Sequence, residues 1–305
     1  MKSNSLLNNR RFKDLTAAYI LVLPCAAVLI VMMIYPIIQV IQFAFSQVTI
    51  LNFQTQFVGF QNFVRIVKMP DFRDDALHTL IWTIESMALR FILGIACALL
   101  IDTSLRGMKV FRVLSILPWI MPSIVAANLW RWIYNTDYGI LNYAMGQLIP
   151  HFKVDWLGTP GLALQSVLAA FSWMGFPFVM LMLLAGLQGI LNDLKEAARI
   201  DGANGFQVIV HIIIPCLRTI ILTLFALQLI DGVNSFDLLY TLTAGGPGGS
   251  SEIFSLQIFR VAFENFDYGG AAALSVMVIL LVGIPMAIVA IVASIRNRRA
   301  NRVGG

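Results

Sequence analysis

Long apolar stretches separated by polar connections dominate the pattern along the chain. Because a helix needs about 20 mostly apolar residues to cross the hydrocarbon core of a bilayer, each long stretch predicts a transmembrane helix. The predicted spans are Ala17–Ile41, Leu77–Ile101, Val110–Ile133, Leu162–Leu191, Val208–Ile230 and Ala271–Ile295. The predicted fold class is therefore all-α, a polytopic membrane protein with six transmembrane helices.

The sequence shows no low-complexity tract, no soluble-sized domain and no convincing internal repeat. We therefore expect one transmembrane domain over residues 15–295, with a polar connection at 192–207 between the fourth and fifth spans. A basic N-terminal segment covers residues 1–14, and a basic C-terminal tail covers residues 296–305.

Composition agrees with a membrane protein. Hydrophobic residues make up 59% of the 305 residues and charged residues only 12%, whereas an average soluble domain has about 25% charged residues. So little charge cannot cover a water-facing surface, and we expect the lipid bilayer to face much of the chain. The net charge of +5 is small, and no nucleic-acid partner is expected.

The distribution of lysine and arginine predicts the orientation of the spans. These residues are concentrated in the two termini and in the short connections 102–109 and 192–207, in about twofold excess over the long connections. Because cytoplasmic segments carry this excess, the pattern predicts cytoplasmic N and C termini and a cytoplasmic connection at 192–207.

The connection between the fourth and fifth spans has the most informative sequence. Residues 191–205 read LNDLKEAARIDGANG, which predicts a short helix with Asp193 as its N-cap, Glu196 completing a capping box, and Gly202 in a left-handed conformation at its end. A helix of two turns is not stable alone in water. Taken locally, this segment is either a solvated connector or a helix that docks against a partner through its paired alanines.

The spacing within this connection carries a family signature. Its blocks are Glu196-Ala197-Ala198, Gly202 four residues later, and Ile212-Ile213-Ile214-Pro215 after nine more residues. This pattern resembles the EAA loop of permease subunits in binding-protein-dependent ABC importers, except that Ile214 stands where leucine is usual. The continuation through Ala203 resembles the sugar (maltose-type) branch, and the resemblance extends over nearly all of the chain from Tyr35 onward.

The resemblance implies a type I ABC importer permease fold in a bacterial or archaeal cytoplasmic (inner) membrane. Four residues match the motif that forms the coupling helix, which docks on a cytoplasmic ATPase subunit: Glu196, Ala197, Ala198 and Gly202. The implied partners are a second related permease subunit, two ATPase subunits and an extracytoplasmic solute-binding protein. ATP and magnesium would be bound by the ATPase subunits, so no catalytic residue, cofactor or metal is expected in this chain.

The implied function is to form half of a translocation pathway for a sugar or oligosaccharide delivered by the binding protein. Residues Gln228 and Asp231 share one face of the fifth span, and Asn234 follows at its end. In the fourth span we expect Pro177 to break the helix, which would place Trp173 where it can stack on a sugar ring. We therefore predict that Trp173, Gln228, Asp231 and Asn234 contact the solute.

Other functions remain open at the level of the sequence. A polyol or glycerol phosphate is the alternative solute for the same importer class. A self-sufficient secondary transporter would need inverted repeats and ion-coupling carboxylates, for which only Glu85 offers itself. Glu85 and Arg90 lie five residues apart on the second span, so helix contacts or snorkelling are expected rather than a direct pair. A membrane enzyme has no supporting nucleophile or metal motif, and no phosphate-binding GxxxxGK[ST] loop occurs.

Overall fold

The computed structural model describes the chain at residues 3–48, 54–103 and 105–303. Its helices and strands are, in chain order, α1 (Ser3–Ala44), β1 (Ser46–Val48), β2 (Thr55–Phe57), α2 (Gln61–Val67), α3 (Phe72–Ile101), α4 (Met108–Ile120), α5 (Ser123–Ile133), α6 (Ile140–Leu148), α7 (Ala163–Gln188), α8 (Asn192–Ile200), α9 (Gly205–Val208), α10 (Ile214–Cys216), α11 (Arg218–Val233), α12 (Asp237–Leu242), α13 (Phe254–Phe259) and α14 (Tyr268–Val303). Two π-helical turns, Ile209–Ile213 and Arg260–Glu264, follow α9 and α13.

Five helical stretches in the described residues are long and apolar enough to cross a membrane, and α4 with α5 forms a sixth if the bent pair counts as one span. The five are Tyr19–Ala44, Phe72–Ile101, Ala163–Gln188, Arg218–Leu242 and Tyr268–Ile288. The predicted all-α membrane fold is therefore confirmed. An antiparallel hairpin of β1 and β2 was not anticipated from the sequence.

The third predicted span is not one straight helix. Its two halves, α4 and α5, meet at an angle of 103°. The bend falls at Met121, which has the extended conformation φ −68°, ψ 135°, immediately before Pro122. The proline ring disfavours a helical conformation in the residue before it, and proline has no N–H to continue the helix. The chain therefore turns at this point.

The fifth predicted span begins later than expected. The apolar stretch starting at Val208 forms a separate short helix, Gly205–Cys216, and the spanning stretch begins at Arg218. Pro215 cannot donate a hydrogen bond to the carbonyl four residues earlier. The chain just before it widens into the π-helical turn Ile209–Ile213, a local form that relieves such crowding.

The expected break in the fourth span is wrong. Helix α7 continues from Ala163 to Gln188 through Pro177. More than half of its spanning window is buried against neighbouring helices. In a membrane helix, such neighbours compensate for the single backbone hydrogen bond that a proline removes, so the helix persists.

The described chain divides into two compact units. The first comprises residues 1–66 and 261–277. In it, the buried Asn62 donates hydrogen bonds to the carbonyls of Ala44 and Ser46, at 3.0 and 2.9 Å. Arg65 forms an ion pair with Asp267 at 2.7 Å. These contacts hold the end of α1 and the hairpin near the start of α14.

The second unit comprises residues 67–260 and 278–305, and helices α3 and α7 pack at its centre. A Cβ atom on Gly94 would lie 2.7 Å from a methyl carbon of Val179, so the two helices touch where glycine leaves room. Small residues at such contacts allow membrane helices to approach closely. The rings of Trp82 and Phe171 stack at 4.8 Å between the same two helices.

Candidate functional site

A cavity of about 550 Å³ opens in the second unit between α3, the bend of α4 and α5, α7 and α11. Its walls are mostly apolar and aromatic, and its polar residues come from α3 and the end of α11. The lining residues are Arg90, Trp119, Met121, Phe171, Met174, Gly175, Phe178, Leu227, Gln228, Ile230, Asp231 and Asn234. Apolar walls with a few converging polar groups are typical of a site for a small solute.

Arg90 is the centre of the polar side of this cavity. Its Nη1 donates hydrogen bonds to Gln228 Oε1 and to Asp231 Oδ2, both at 2.6 Å. Its Nη2 donates to the carbonyl oxygen of Phe171 at 3.0 Å, and its Cζ lies 3.7 Å from the centroid of the Phe171 ring. The side chain is only 2% exposed, whereas that of Asp231 is 59% exposed. Arg90 is therefore a buried cation that ties α3 to α7 and α11.

The Arg90 guanidinium packs against the backbone of α7 at a glycine. A Cβ atom on Gly175 would lie 2.2 Å from Arg90 Cζ, which is inside any allowed contact distance. With a glycine at this position, the guanidinium lies between the backbone of α7 and the Phe171 ring. Position 175 therefore needs a residue without a side chain for Arg90 to reach its partners.

The end of α11 is held beside the cavity by a second buried donor. Trp82 Nε1 donates to the Gly232 carbonyl at 3.1 Å and to Ser235 Oγ at 2.7 Å. Ser235 Oγ donates in turn to the same carbonyl at 2.7 Å. Since α11 ends at Val233, these bonds fix the turn that carries Asp231 and Asn234.

The structure brings three of the four predicted solute-contact residues together. Gln228, Asp231 and Asn234 all line the cavity. Trp173 lies outside the lining, half-buried, with its ring edge-to-face against Trp130 at 5.5 Å. That these side chains contact a solute stays a prediction.

Sequence reasoning missed Arg90 as the organiser of the site. A charge in the middle of an apolar span is costly and usually has a partner, and the sequence offered two acidic candidates, Glu85 and Asp231. Glu85 is exposed, as expected for a residue that does not pair with Arg90. The partner is instead Asp231, 141 positions further along the chain.

A second polar site lies at the short helix α8. Its ending is as predicted: Gly202 has φ +86°, the Gly202 N–H donates to the Arg199 carbonyl at 3.1 Å, and the Ala203 N–H donates to the Ala198 carbonyl at 2.9 Å. Together these two bonds form a Schellman motif, which requires a left-handed residue at its centre.

The predicted beginning of α8 is wrong. The residue at its N-cap is Leu191, and no side chain caps the helix there, so Asp193 and Glu196 do not form a capping box. The capping box of this connection lies at the next helix, where Asn204 Oδ1 accepts from the Gln207 N–H and Gln207 Oε1 accepts from the Asn204 N–H. Asp193 is already inside the first turn of α8, so it cannot act as its cap.

Helix α8 presents charged groups outwards. Glu196, Ala197 and Arg199 are exposed. Within the described chain, neither charged side chain forms a hydrogen bond or ion pair. The other side of the helix is anchored, because Lys195 Nζ lies 3.1 Å from Asp102 Oδ2 just beyond α3. Ala198 packs at the edge of the apolar core.

Comparison with known proteins identifies the class. Residues 90–300 match the family model described as binding-protein-dependent transport system inner membrane component. The chain is 33% identical over 279 residues to the trehalose/maltose transport system permease protein MalF of Thermococcus litoralis, covering 92% of this chain and 94% of that protein. The chain belongs to the family of binding-protein-dependent transport system inner membrane components.

Solved structures show the same fold. A chain of the bacterial alginate ABC transporter, in complex with an alginate-pentasaccharide-bound periplasmic protein, matches with a TM-score of 0.80 and 21% identity, over 92% of this chain and 94% of that one. A further structure of a bacterial ABC transporter that imports the acidic polysaccharide alginate matches with a TM-score of 0.71 and 21% identity, over 96% and 99%. The chain is thus a multi-pass permease subunit of an ABC importer, as the resemblance in its loop indicated.

Proposed function

We propose that this permease forms half of the pathway for a sugar or oligosaccharide, which a separate solute-binding protein delivers. A second, related permease forms the other half, and ATP with magnesium is bound and hydrolysed by two separate ATPase subunits. The proposal assigns catalysis and the binding of ATP and magnesium to those subunits and not to this chain. The observation that carries this proposal is the helix α8, on which the motif residues Glu196 and Ala197 are exposed.

The surface of α8 supports a coupling role. Glu196 and Ala197 are exposed, and the short side chain of Ala197 allows a second protein surface to come close. Gly202 gives the helix a sharp end. A short helix anchored on one side and exposed on the other can transmit the movement of a docked ATPase to the spans. Glu196, Ala197, Ala198 and Gly202 are the residues proposed to do this.

The lining of the cavity supports a sugar. Trp119 and Phe178 stack at 5.7 Å in its wall, and Gln228, Asp231 and Asn234 place amide and carboxylate groups beside them. A sugar has apolar C–H faces and hydroxyl groups that both donate and accept, which suits such a mixed lining. The Thermococcus litoralis relative is named for trehalose and maltose, which supports the same class of solute.

The proposed location is the cytoplasmic membrane of a bacterium or archaeon, with both termini and the α8 connection in the cytoplasm. The excess of lysine and arginine on these segments supports this orientation. The same orientation is required if α8 is to meet an ATPase that uses cytoplasmic ATP.

A pull-down from native membranes tests the proposal. The tagged chain is compared with a double variant, Glu196→Arg with Gly202→Trp, and co-purifying proteins are identified. We expect the natural chain to recover an ATPase and a second permease, and the double variant to lose the ATPase while keeping the permease.

The control variant carries Asp137→Arg and Gly161→Trp. Gly161 has φ +85° and Gly202 has φ +86°, and both have open space where a Cβ would be, so the two tryptophan substitutions introduce equivalent strain. The control should retain the ATPase. Recovery of the natural chain alone from gently solubilised membranes would overturn the proposal.

A further inference from the structure

The cavity contains one cation and one anion among its described lining residues. These are Arg90 and Asp231, and they form an ion pair at 2.6 Å. The lining therefore has no net charge. Relatives of this chain are named for trehalose and maltose as well as for an acidic polysaccharide, so family membership does not decide whether the solute is charged.

The Arg90 guanidinium has little capacity left for a solute. Both Nη1–H groups are engaged by Gln228 and Asp231, and Nη2 donates to the Phe171 carbonyl. Its Nε has no acceptor among the described residues, but it is buried and therefore not open to a solute. Because the guanidinium also lies against the Gly175 backbone and the Phe171 ring, it cannot turn towards the cavity without giving up these contacts.

The groups that a solute in the cavity can reach are those of Asp231 and Gln228, which are left free by their bonds to Arg90. Asp231 uses one carboxylate oxygen for Arg90, and its side chain is 59% exposed, so its second oxygen can accept a hydrogen bond from a hydroxyl. Gln228 accepts from Arg90 through Oε1, which fixes the amide so that its NH₂ group is the part left to donate. Arg90 thus sets which atoms of its two partners are available.

Building on the proposed function, we propose that Arg90 is a positioning residue, and that its pairing with Asp231 makes this cavity select uncharged polyhydroxylated solutes against phosphorylated ones. A phosphate group entering the cavity meets the carboxylate of Asp231 and finds the only cation of the described lining already paired. Like charges placed together in a binding site disfavour the wrong ligand. A hydroxyl group of a neutral solute instead meets the second carboxylate oxygen of Asp231 as an acceptor and the NH₂ group of Gln228 as a donor.

The first test does not depend on knowing the solute. The complete importer in lipid nanodiscs, with a non-hydrolysable ATP analogue saturating its ATPase subunits, is heated with increasing inorganic phosphate or, at equal ionic strength, sodium chloride. We expect phosphate to give no specific stabilisation of the natural importer. Asp231→Asn frees Arg90 of its counter-charge, and this variant should gain a phosphate-dependent rise in melting temperature.

Asp137→Asn is the matched control. Asp137 also pairs with a cation, Lys153, at 2.8 Å, and its side chain is 74% exposed. This variant loses a carboxylate that pairs with a cation outside the cavity lining, and it should gain no phosphate-dependent stabilisation. Specific stabilisation of the natural importer by phosphate, or equal behaviour of Asp231→Asn and the natural chain, would overturn the proposal.

A second test reads selectivity directly. Equilibrium binding to the complete importer is measured for the pairs trehalose and trehalose 6-phosphate, and glucose and glucose 6-phosphate. The ratio of neutral to phosphorylated affinity should fall by about tenfold or more in Asp231→Asn and rise in Arg90→Gln, because the two variants leave opposite charges. The double variant Arg90→Gln with Asp231→Asn should return the ratio to within about threefold of the natural value.

Opposite changes of the affinity ratio in the two single variants would distinguish a positioning role of Arg90 from a structural one. A merely structural role would lower both affinities together in every variant. A natural importer that binds the phosphorylated member as well as the neutral one would overturn the inference. That result would leave the proposed function standing if the pull-down still recovers the ATPase. Failure of the natural chain to recover an ATPase in the pull-down would instead remove the proposed function itself.

Discussion

The cavity and helix α8 are two polar sites of a chain with very little charge, and their charged side chains are arranged in opposite ways. Around the cavity, Arg90 is 2% exposed and bonded to groups on two other helices. On α8, Glu196 and Arg199 are exposed and unpaired within the described chain. Charges that pair internally fix the geometry of a site, whereas charges left outward are available to another protein.

This difference predicts how substitutions should act. Changes around the cavity should lower both the stability of the spans and transport, because the same bonds serve both. Changes in α8 and the connection after it should leave the spans intact.

The largest effect is expected for Gly175→Ala. The new Cβ would lie 2.2 Å from Arg90 Cζ, so the guanidinium must leave its partners, at a cost of about 2–4 kcal/mol. Reversible unfolding of the chain in lipid nanodiscs measures this loss. Gly146→Ala is the control, since the nearest atom to its new Cβ would be 3.9 Å away. An unchanged stability in Gly175→Ala would show that Arg90 does not hold the helices together.

Among the changes around the cavity, Trp82→Phe should lower stability less than Gly175→Ala does. Trp82 is fully buried, and its Nε1–H holds Gly232 and Ser235. Losing this donor should lower the free energy of unfolding by about 1–3 kcal/mol and weaken solute binding, because the end of α11 is released. Trp132→Phe, at an exposed tryptophan, should stay within about 0.5 kcal/mol of the natural chain.

In the connection after α8, Asn204→Ala should lower helix stability only locally. It removes the capping box at the start of α9, which costs about 0.5–2 kcal/mol of local helix stability. Hydrogen exchange should speed up over Gly205–Val208, while the unfolding of the spans is unchanged. Asp193→Ala is the control, because Asp193 makes no capping bond. If Asn204→Ala lowered the stability of α3 and α7 instead, the separation of the two sites would be wrong.

The smallest effect is expected for the ion pair that links α8 to the end of α3. Lys195 and Asp102 are 3.1 Å apart and partly exposed, so a double-mutant cycle with Lys195→Ala and Asp102→Ala should give a coupling of about 0.2–1 kcal/mol. The coupling should weaken at high salt. The more exposed pair Lys153 and Asp137 provides the comparison, and a larger coupling there would contradict this ranking.

The sequence predicts the fold well where the signal is local. Apolar length located five spans, although the one predicted from Val208 begins at Arg218. The left-handed Gly202 was predicted because few other residues tolerate φ +86°. Prolines show where local signals end. Pro122 is exposed and accompanies a 103° bend, whereas Pro177 is buried in an unbroken α7. What decides between them is the packing of neighbouring helices, which single residues do not encode.

The candidate site shows the same division. Gln228, Asp231 and Asn234 were identified because they are polar and close in sequence at the end of one span. Arg90 was not connected to them, since its pairing with Asp231 joins positions 141 apart. Asp193 and Asn204 both suit an N-cap by residue type. The sequence therefore predicted a capping box at Asp193, whereas the capping box of this connection forms at Asn204. Only the path of the backbone into each helix distinguishes them.

The length of α3 has a consequence for the membrane in which this permease works. Its 30 residues extend about 45 Å, whereas a typical hydrocarbon core is about 30 Å thick. The helix must therefore tilt, or project beyond the acyl chains, by an amount set by bilayer thickness. Since α3 carries Arg90 and leads directly to Asp102, lipid chain length becomes a physical variable that acts on the cavity and the α8 anchor together. Transport measured in a series of bilayers of increasing thickness should accordingly pass through an optimum.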